Sequence, residues 1–213
     1  MNDAPKKKLS FKQQQLQFRE DAILDAVNRL LAAKGYDLMT MDEVAAEVGI
    51  AKASLYKHFQ SKEALAAASM TRLLQSTRKV IDNLPEALGP VDKLKELVRW
   101  AIRSHLQGEL PLLPSTRSTI HNTLTSHQGY LDELRQVTEA LGNWIERAQA
   151  QGTLSMRLPG EVVLYTIFAR SCDPVSDFLK MGGAFSDEEI VEYMIETCFY
   201  GLAPGPQAGA GPG

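Results

Sequence analysis

Cysteine is nearly absent from this chain: only Cys172 and Cys198 occur among 213 residues. That excludes a small secreted scaffold stapled by disulfides and fits a reducing compartment. Long apolar runs are also missing, although 44% of the residues are hydrophobic. No stretch approaches the roughly 18 residues that suggest a membrane span. The opening MNDAPKKKLS lacks the apolar segment of a secretory signal. The expectation is a cytoplasmic protein with no membrane partner. Charge of one sign is scarce as well, with a formal net charge of −3. A protein that coats nucleic acid without selection needs a far larger basic excess. No nucleophile elbow, phosphate-cradling glycine loop, dinucleotide fingerprint or His-Glu-x-x-His segment is present. His105, His121, His127 and Cys172 lack the close pairing of a metal site. No catalytic residue, metal or cofactor is expected, and the chain is not read as an enzyme.

What is present is helical periodicity. No stretch alternates as strands do, so the fold class is all-α. The informative segment is Thr40 to Leu65. Thr40 with Glu43 forms a capping box at the start of a short helix, which Val44, Ala45 and Val48 make apolar on one face. Gly49 ends it in a left-handed turn. Ile50 and Leu55 then anchor a second short helix, and the small Ala45 permits a close crossing. Two short helices joined this way form a helix-turn-helix, whose second helix enters the DNA major groove. Around the buried Leu55, Lys52, Lys57 and Lys62 suit phosphate or guanine. Ser54 suits a base edge or phosphate, Ala53 a thymine methyl, and Tyr56 and His58 phosphate oxygens. Ser61 caps the following helix. Residues 1–75 hold 11 Lys and Arg against 9 Asp and Glu, and the remainder 12 against 17. The acids Asp42, Glu43 and Glu47 lie on the first helix of the pair and the lysines on or beside the second, which allows a locally positive face.

This run resembles the tetracycline-repressor (TetR/AcrR) family of bacterial transcription regulators. The resemblance is carried by Thr40, Val44-Ala45, Val48-Gly49-Ile50, Leu55-Tyr56-Lys57-His58-Phe59, Ser61-Lys62-Glu63 and Leu65, and it spans roughly residues 18–70. One departure stands at Ala51, where the family often has Ser or Thr; Ala cannot cap the second helix and offers no phosphate contact. The resemblance implies a three-helix DNA-binding domain at the N-terminus and a larger helical domain for ligand binding and dimerisation. It further implies DNA-binding roles for Thr40, Lys52, Ala53, Ser54, Tyr56, Lys57, His58 and Lys62.

Along the chain, residues 1–15, with Lys6, Lys7, Lys8 and Lys12, read as a flexible basic arm. Residues 16–62 form the DNA-binding domain, 63–202 the ligand and dimer domain, and 203–213 a disordered tail of Ala, Pro, Gly and one Gln. A first helix is expected over Phe18–Lys34, ended by Gly35, and a connecting helix over Lys62–Asn83. Further helices are expected over Val91–Gln107, weakly within Ser115–His127, and from Gly129 and Tyr130 to about Gln151. An apolar segment over Val162–Met181 is expected to be kinked at Pro174. A final helix opens on the capping box of Ser186 and Glu189. Trp100, His105, His121, Trp144 and Phe168 are the candidates for lining an apolar or aromatic ligand's pocket, with plain core packing as the alternative for each. Val163, Ile167, Val175, Phe178, Val191, Met194, Ile195 and Cys198 are the candidates for a dimer interface, with coverage of the subunit's own core as the alternative. The partners expected are an operator in double-stranded DNA, a small molecule and a second copy of the chain. The competing reading is a small-molecule sensor or scaffold that acts through proteins and has lost useful DNA binding.

Overall fold

The computed structural model describes residues 10–110, 120–171 and 173–202. Among them are ten α-helices and no strand. The tail over 203–213 and the first nine residues of the basic arm lie outside the described residues, as does Cys172.

Helix α1 (Phe11–Leu38) begins seven residues before the expected start. Ser10 accepts from the Gln13 amide, and the Gln13 side chain returns to the Ser10 amide, a capping box. Gln13 belongs to the three consecutive glutamines that had read as a loose arm; a cap and good helix formers carry the helix through them. Gly35, at φ 74°, breaks the regular helix as expected. Helices α2 (Met41–Val48) and α3 (Lys52–His58) follow, joined through Gly49 at φ 74°, ψ 33°. Helix α4 (Lys62–Asn83) is capped by Ser61, whose hydroxyl accepts from the Ala64 amide at 3.1 Å.

Helix α4 organises the molecule. Its first half packs on α1, where the buried Ser69 hydroxyl donates to Asn28 and Arg72 meets Asp25 at 2.7 Å. Its second half packs on α7 (Gln128–Ala150). There Gln75 donates to Glu133 at 3.3 Å, and Arg78 lies 3.0 Å from the same carboxylate in an ion pair too misaligned to be a hydrogen bond. Helices α5 (Pro90–Leu106), α6 (Ile120–Ser126) and α8 (Gly160–Ser171) complete the packing around α4 and α7. One continuous apolar core results, running from Ile23 on α1 to Ile195.

The expected Val162–Met181 helix is two helices. Pro174 does more than kink it: α8 stops at Ser171, Pro174 takes the N-cap position, and α9 (Val175–Gly182) starts anew. A helical Pro has no amide to donate, and its ring clashes with the preceding turn. Helix α10 (Asp187–Phe199) opens on the expected Ser186–Glu189 capping box. It is fastened to α5 by Arg99, which grips Glu192 with two contacts of 2.6 and 2.9 Å, and by Arg103 on Glu188.

Most of the residues named as dimer candidates lie inside the subunit. Val163, Ile167, Val191, Met194 and Ile195 are all buried within one subunit's core. The reason is register: on α8 and α10 the apolar residues occupy two faces, and those with the cleaner period cover the subunit's own interior. Val175 and Phe178 do face solvent, the latter 67% exposed. Cys198 is half-buried, and burial pushes its thiol pKa up.

Candidate nucleic-acid interface and ligand cavity

The α2–α3 pair is held by backbone chemistry at its turn and by one side chain at its centre. The Ile50 amide donates to Ala45 at 2.9 Å, and Gly49 to Ala46 at 3.1 Å. Leu55 is fully buried, which seats α3 on α2 and turns Lys52, Ala53, Tyr56 and Lys57 outward. Ala51 leaves the start of α3 without a side-chain cap, as its methyl group dictates.

Each acid of α2 has its own cation. Glu47 accepts from Arg29 at 3.0 Å, Glu43 from Lys34, and Asp42 from Lys52 at 2.8 Å. The first two pairs tie α2 to α1 and withdraw two acids from the outer face. The third reaches α3 itself, and its hydrogen bond raises the Lys52 pKa. Lys34 and Thr40 together pull the Glu43 pKa down.

The predicted contacts sort into three groups. Ala53, Tyr56 and Lys57 lie on the exposed side of α3, away from Leu55, and Lys57 makes no ion pair with a described residue, whereas Ser54 is half-buried at the edge of the groove beside α1. Lys52 and Lys62 are exposed or half-exposed but engaged. Lys62 sits 4.3 Å from the Tyr36 ring centroid and 3.3 Å from the Asp37 carbonyl. Tyr36 in turn donates to Glu63 at 3.2 Å; burial and that carboxylate raise its pKa to about 12. The Thr40 hydroxyl serves the capping box, accepting from the Glu43 amide and donating to the Glu43 carboxylate at 2.8 Å.

The third group is His58, and here the expectation is corrected. Its ring is turned inward, 9% exposed, with Nδ1 3.4 Å from Glu20 on α1. It sits at the foot of α3, in a groove with Phe18, Ala22 and Val48, rather than at the outer face. Position in the helix decides this: His58 lies three residues after Leu55, so both point toward α1.

Behind these helices a narrow apolar cavity of about 70 Å³, open to solvent on one side, lies between α4, α5, α7 and α8. Trp100, His105 and Phe168 line it, as expected from the sequence. His121 and Trp144 do not. His121 is exposed on α6. Trp144 is buried elsewhere on α7, with the Lys93 ammonium 5.8 Å from its ring centroid. Sequence reasoning missed Leu73, Leu74 and Thr77, the contribution of α4 to the wall. Their signal was present as an apolar pair inside a helix otherwise read as a polar connector. Ile167, named for the dimer interface, belongs to this wall. No cluster of His, Cys, Asp and Glu among the described residues is arranged to hold a metal ion. None of the described helices is long and apolar enough to cross a membrane.

Residues 23–69 match the model for bacterial regulatory proteins of the tetR family. The biofilm operon icaADBC HTH-type negative transcriptional regulator IcaR of Staphylococcus aureus (strain Newman) is 45% identical over 51 residues, which are 24% of this chain and 27% of that protein. The chain spans less than a third of the length of the curated relatives it matches. Among solved structures, the transcriptional regulator FadR from Bacillus subtilis in complex with stearoyl-CoA superposes with a TM-score of 0.62 at 16% identity, over 86% of this chain and 99% of that one. AibR in complex with isovaleryl coenzyme A and operator DNA does so with a TM-score of 0.62 at 22% identity, over 85% and 98%. At these identities the likeness is one of fold.

Proposed function

Residues 23–69 of this chain belong to the tetR family of bacterial regulatory proteins, and from that premise we propose that the protein is a ligand-responsive transcriptional regulator, a repressor rather than an enzyme. The dimer binds a near-palindromic operator through residues 40–62 of each subunit, and a small apolar or aromatic ligand in the cavity releases it. The observation that carries this reading is that one helix serves both sites. The cap of α4 abuts α3, and its Leu73, Leu74 and Thr77 form a wall of the cavity. Ligand that binds better to a geometry with misplaced α3 helices shifts the population toward it and weakens DNA binding.

Lys57 and Tyr56 are the leading DNA contacts, with Ala53 and Ser54 beside them. Lys52, Lys62 and Thr40 contribute after exchanging their present partners, and His58 acts by bracing α3 on α1. The division into residues 16–62 for DNA and 63–202 for ligand and dimer follows, with α4 as the shared element. Dimerisation has a geometric motive, since two-fold pairing sets two recognition helices about 34 Å apart in successive major grooves. For its surface we favour the outer face of α8–α10, where Tyr165, Phe178, Met181 and Tyr193 are exposed. A protein of this kind acts beside the chromosome, in the cytoplasm.

The test is a mobility-shift titration with footprinting on the DNA flanking the protein's own gene. A protected palindrome, lost in Tyr56→Ala and Lys57→Ala with folding intact, supports the reading. A wild-type protein that retards no fragment, yet binds a protein partner, supports the competing reading of a sensor without DNA. The Asp42–Lys52 pair is the one observation in favour of that second reading.

A further inference from the structure

The chemistry of the cavity wall restricts what can occupy it; this step rests on the proposal that the cavity is the ligand site. Charge is the first restriction. Among the described lining residues only His105 is a base, and both its ring nitrogens are committed. Nε2 lies 2.9 Å from Asp177 on α9, and Nδ1 3.4 Å from the Leu110 carbonyl. Any positive charge on the ring is already balanced by that carboxylate. Three half-buried or half-exposed cations of the surrounding elements are engaged as well. Arg78 faces Glu133, Arg170 is 2.8 Å from Asp173, and Lys180 meets the Leu106 carbonyl at 2.6 Å and Asp187 at 3.0 Å. An anionic group entering here would be stripped of water with no uncommitted cation among the described lining residues to meet it, which is strongly unfavourable.

Hydrogen-bond polarity is the second restriction. The Thr77 hydroxyl donates to the Leu73 carbonyl at 3.0 Å, and the Ser171 hydroxyl to the Ile167 carbonyl at 2.9 Å. Both spend their proton within their own helix and keep only lone pairs. The rest of the wall is hydrocarbon and aromatic rings, with the Trp100 indole N–H as its one further polar group. We infer that the ligand is an uncharged, compact aromatic or branched hydrocarbon with at most one hydroxyl.

The experiment titrates ligand-free, full-length protein with 2-naphthol and 2-naphthoate, by calorimetry and by quenching of tryptophan fluorescence. 2-Naphthol is expected to bind at least about tenfold more tightly than 2-naphthoate, because only the latter brings a charge into the wall. Ala101→Leu and Thr77→Leu fill the cavity from opposite helices, and each is expected to weaken 2-naphthol by about tenfold or more through overpacking. Circular dichroism reports which of the two remains folded. Binding of 2-naphthoate that matches or exceeds 2-naphthol and is lost in the cavity variants overturns the inference while leaving the site standing. Absence of 2-naphthol binding, or binding that neither folded variant alters, overturns the inference by removing the site itself. Neither result touches DNA binding by the ligand-free protein, which is measured separately.

Discussion

Changing Asp42 to Asn removes the carboxylate that holds Lys52 at 2.8 Å and leaves the lysine free to meet phosphate. In a dimer that liberates two cations. Each phosphate neutralised contributes a slope of about −0.9 to log affinity against log salt, so the slope should steepen by about 1.8. Between 50 and 200 mM salt this amounts to roughly a twelvefold larger loss of affinity than in the wild type. At the lowest salt the variant should bind more tightly. The operator need not be known, because the effect falls on phosphates of any sequence. Fluorescence anisotropy with a mixed-sequence duplex, repeated across salt, measures it directly. Lys52→Ala placed on top of Asp42→Asn should return the slope to the wild-type value or below. Loss of an acid from the first turn of α2 slightly weakens that helix, so circular dichroism must accompany the titration. An unchanged slope in folded Asp42→Asn would refute the argument, since it would mean that Lys52 reaches phosphate without hindrance from Asp42.

Leu55→Ala should destabilise the protein by about 2–5 kcal/mol in thermal or denaturant unfolding, because the side chain is fully enclosed where α3 meets its supports. Ala51→Ser supplies the missing cap of α3 and should raise stability by about 1 kcal/mol in the same assay. The Tyr36 phenol, raised from 10.0 to about 12, favours its neutral form when folded. Its stabilising contribution is therefore complete below pH 10 and lost as pH climbs toward 12. Absorbance titration at alkaline pH should show a late-ionising tyrosine that disappears in Tyr36→Phe. Phe178→Asp should shift the protein to monomer in sedimentation without lowering its melting temperature, since that ring is 67% exposed in one subunit.

Helix ends were legible where their signals are local. Thr40 with Glu43, Gly49, and Ser186 with Glu189 each act within one turn of helix, and the structure has all three. Packing between distant elements was not legible in the same way. The placement of Trp144 away from the cavity depends on how α7 rotates against α4 and α5, and nothing within its own stripe fixes that angle. The same holds for α8 and α10, where sequence shows two apolar faces and only the assembled helices show which one the subunit consumes. His58 is an intermediate case. Its spacing from Leu55 already put it on the inner side, but the side chain's capacity for phosphate drew attention instead. The early start of α1 shows that a glutamine run is a good helix once a serine caps it.

The buried bond between Ser69 and Asn28 and the Arg72–Asp25 pair tie the first half of α4 to α1. About 12 Å of helix separates Ser69 from Thr77 at the cavity. Through those ties α1 and the first half of α4 pack as one unit with α2 and α3. Under the proposed function, a ligand that swells the cavity is expected to shift that unit as a whole and so to change operator affinity without changing base preference.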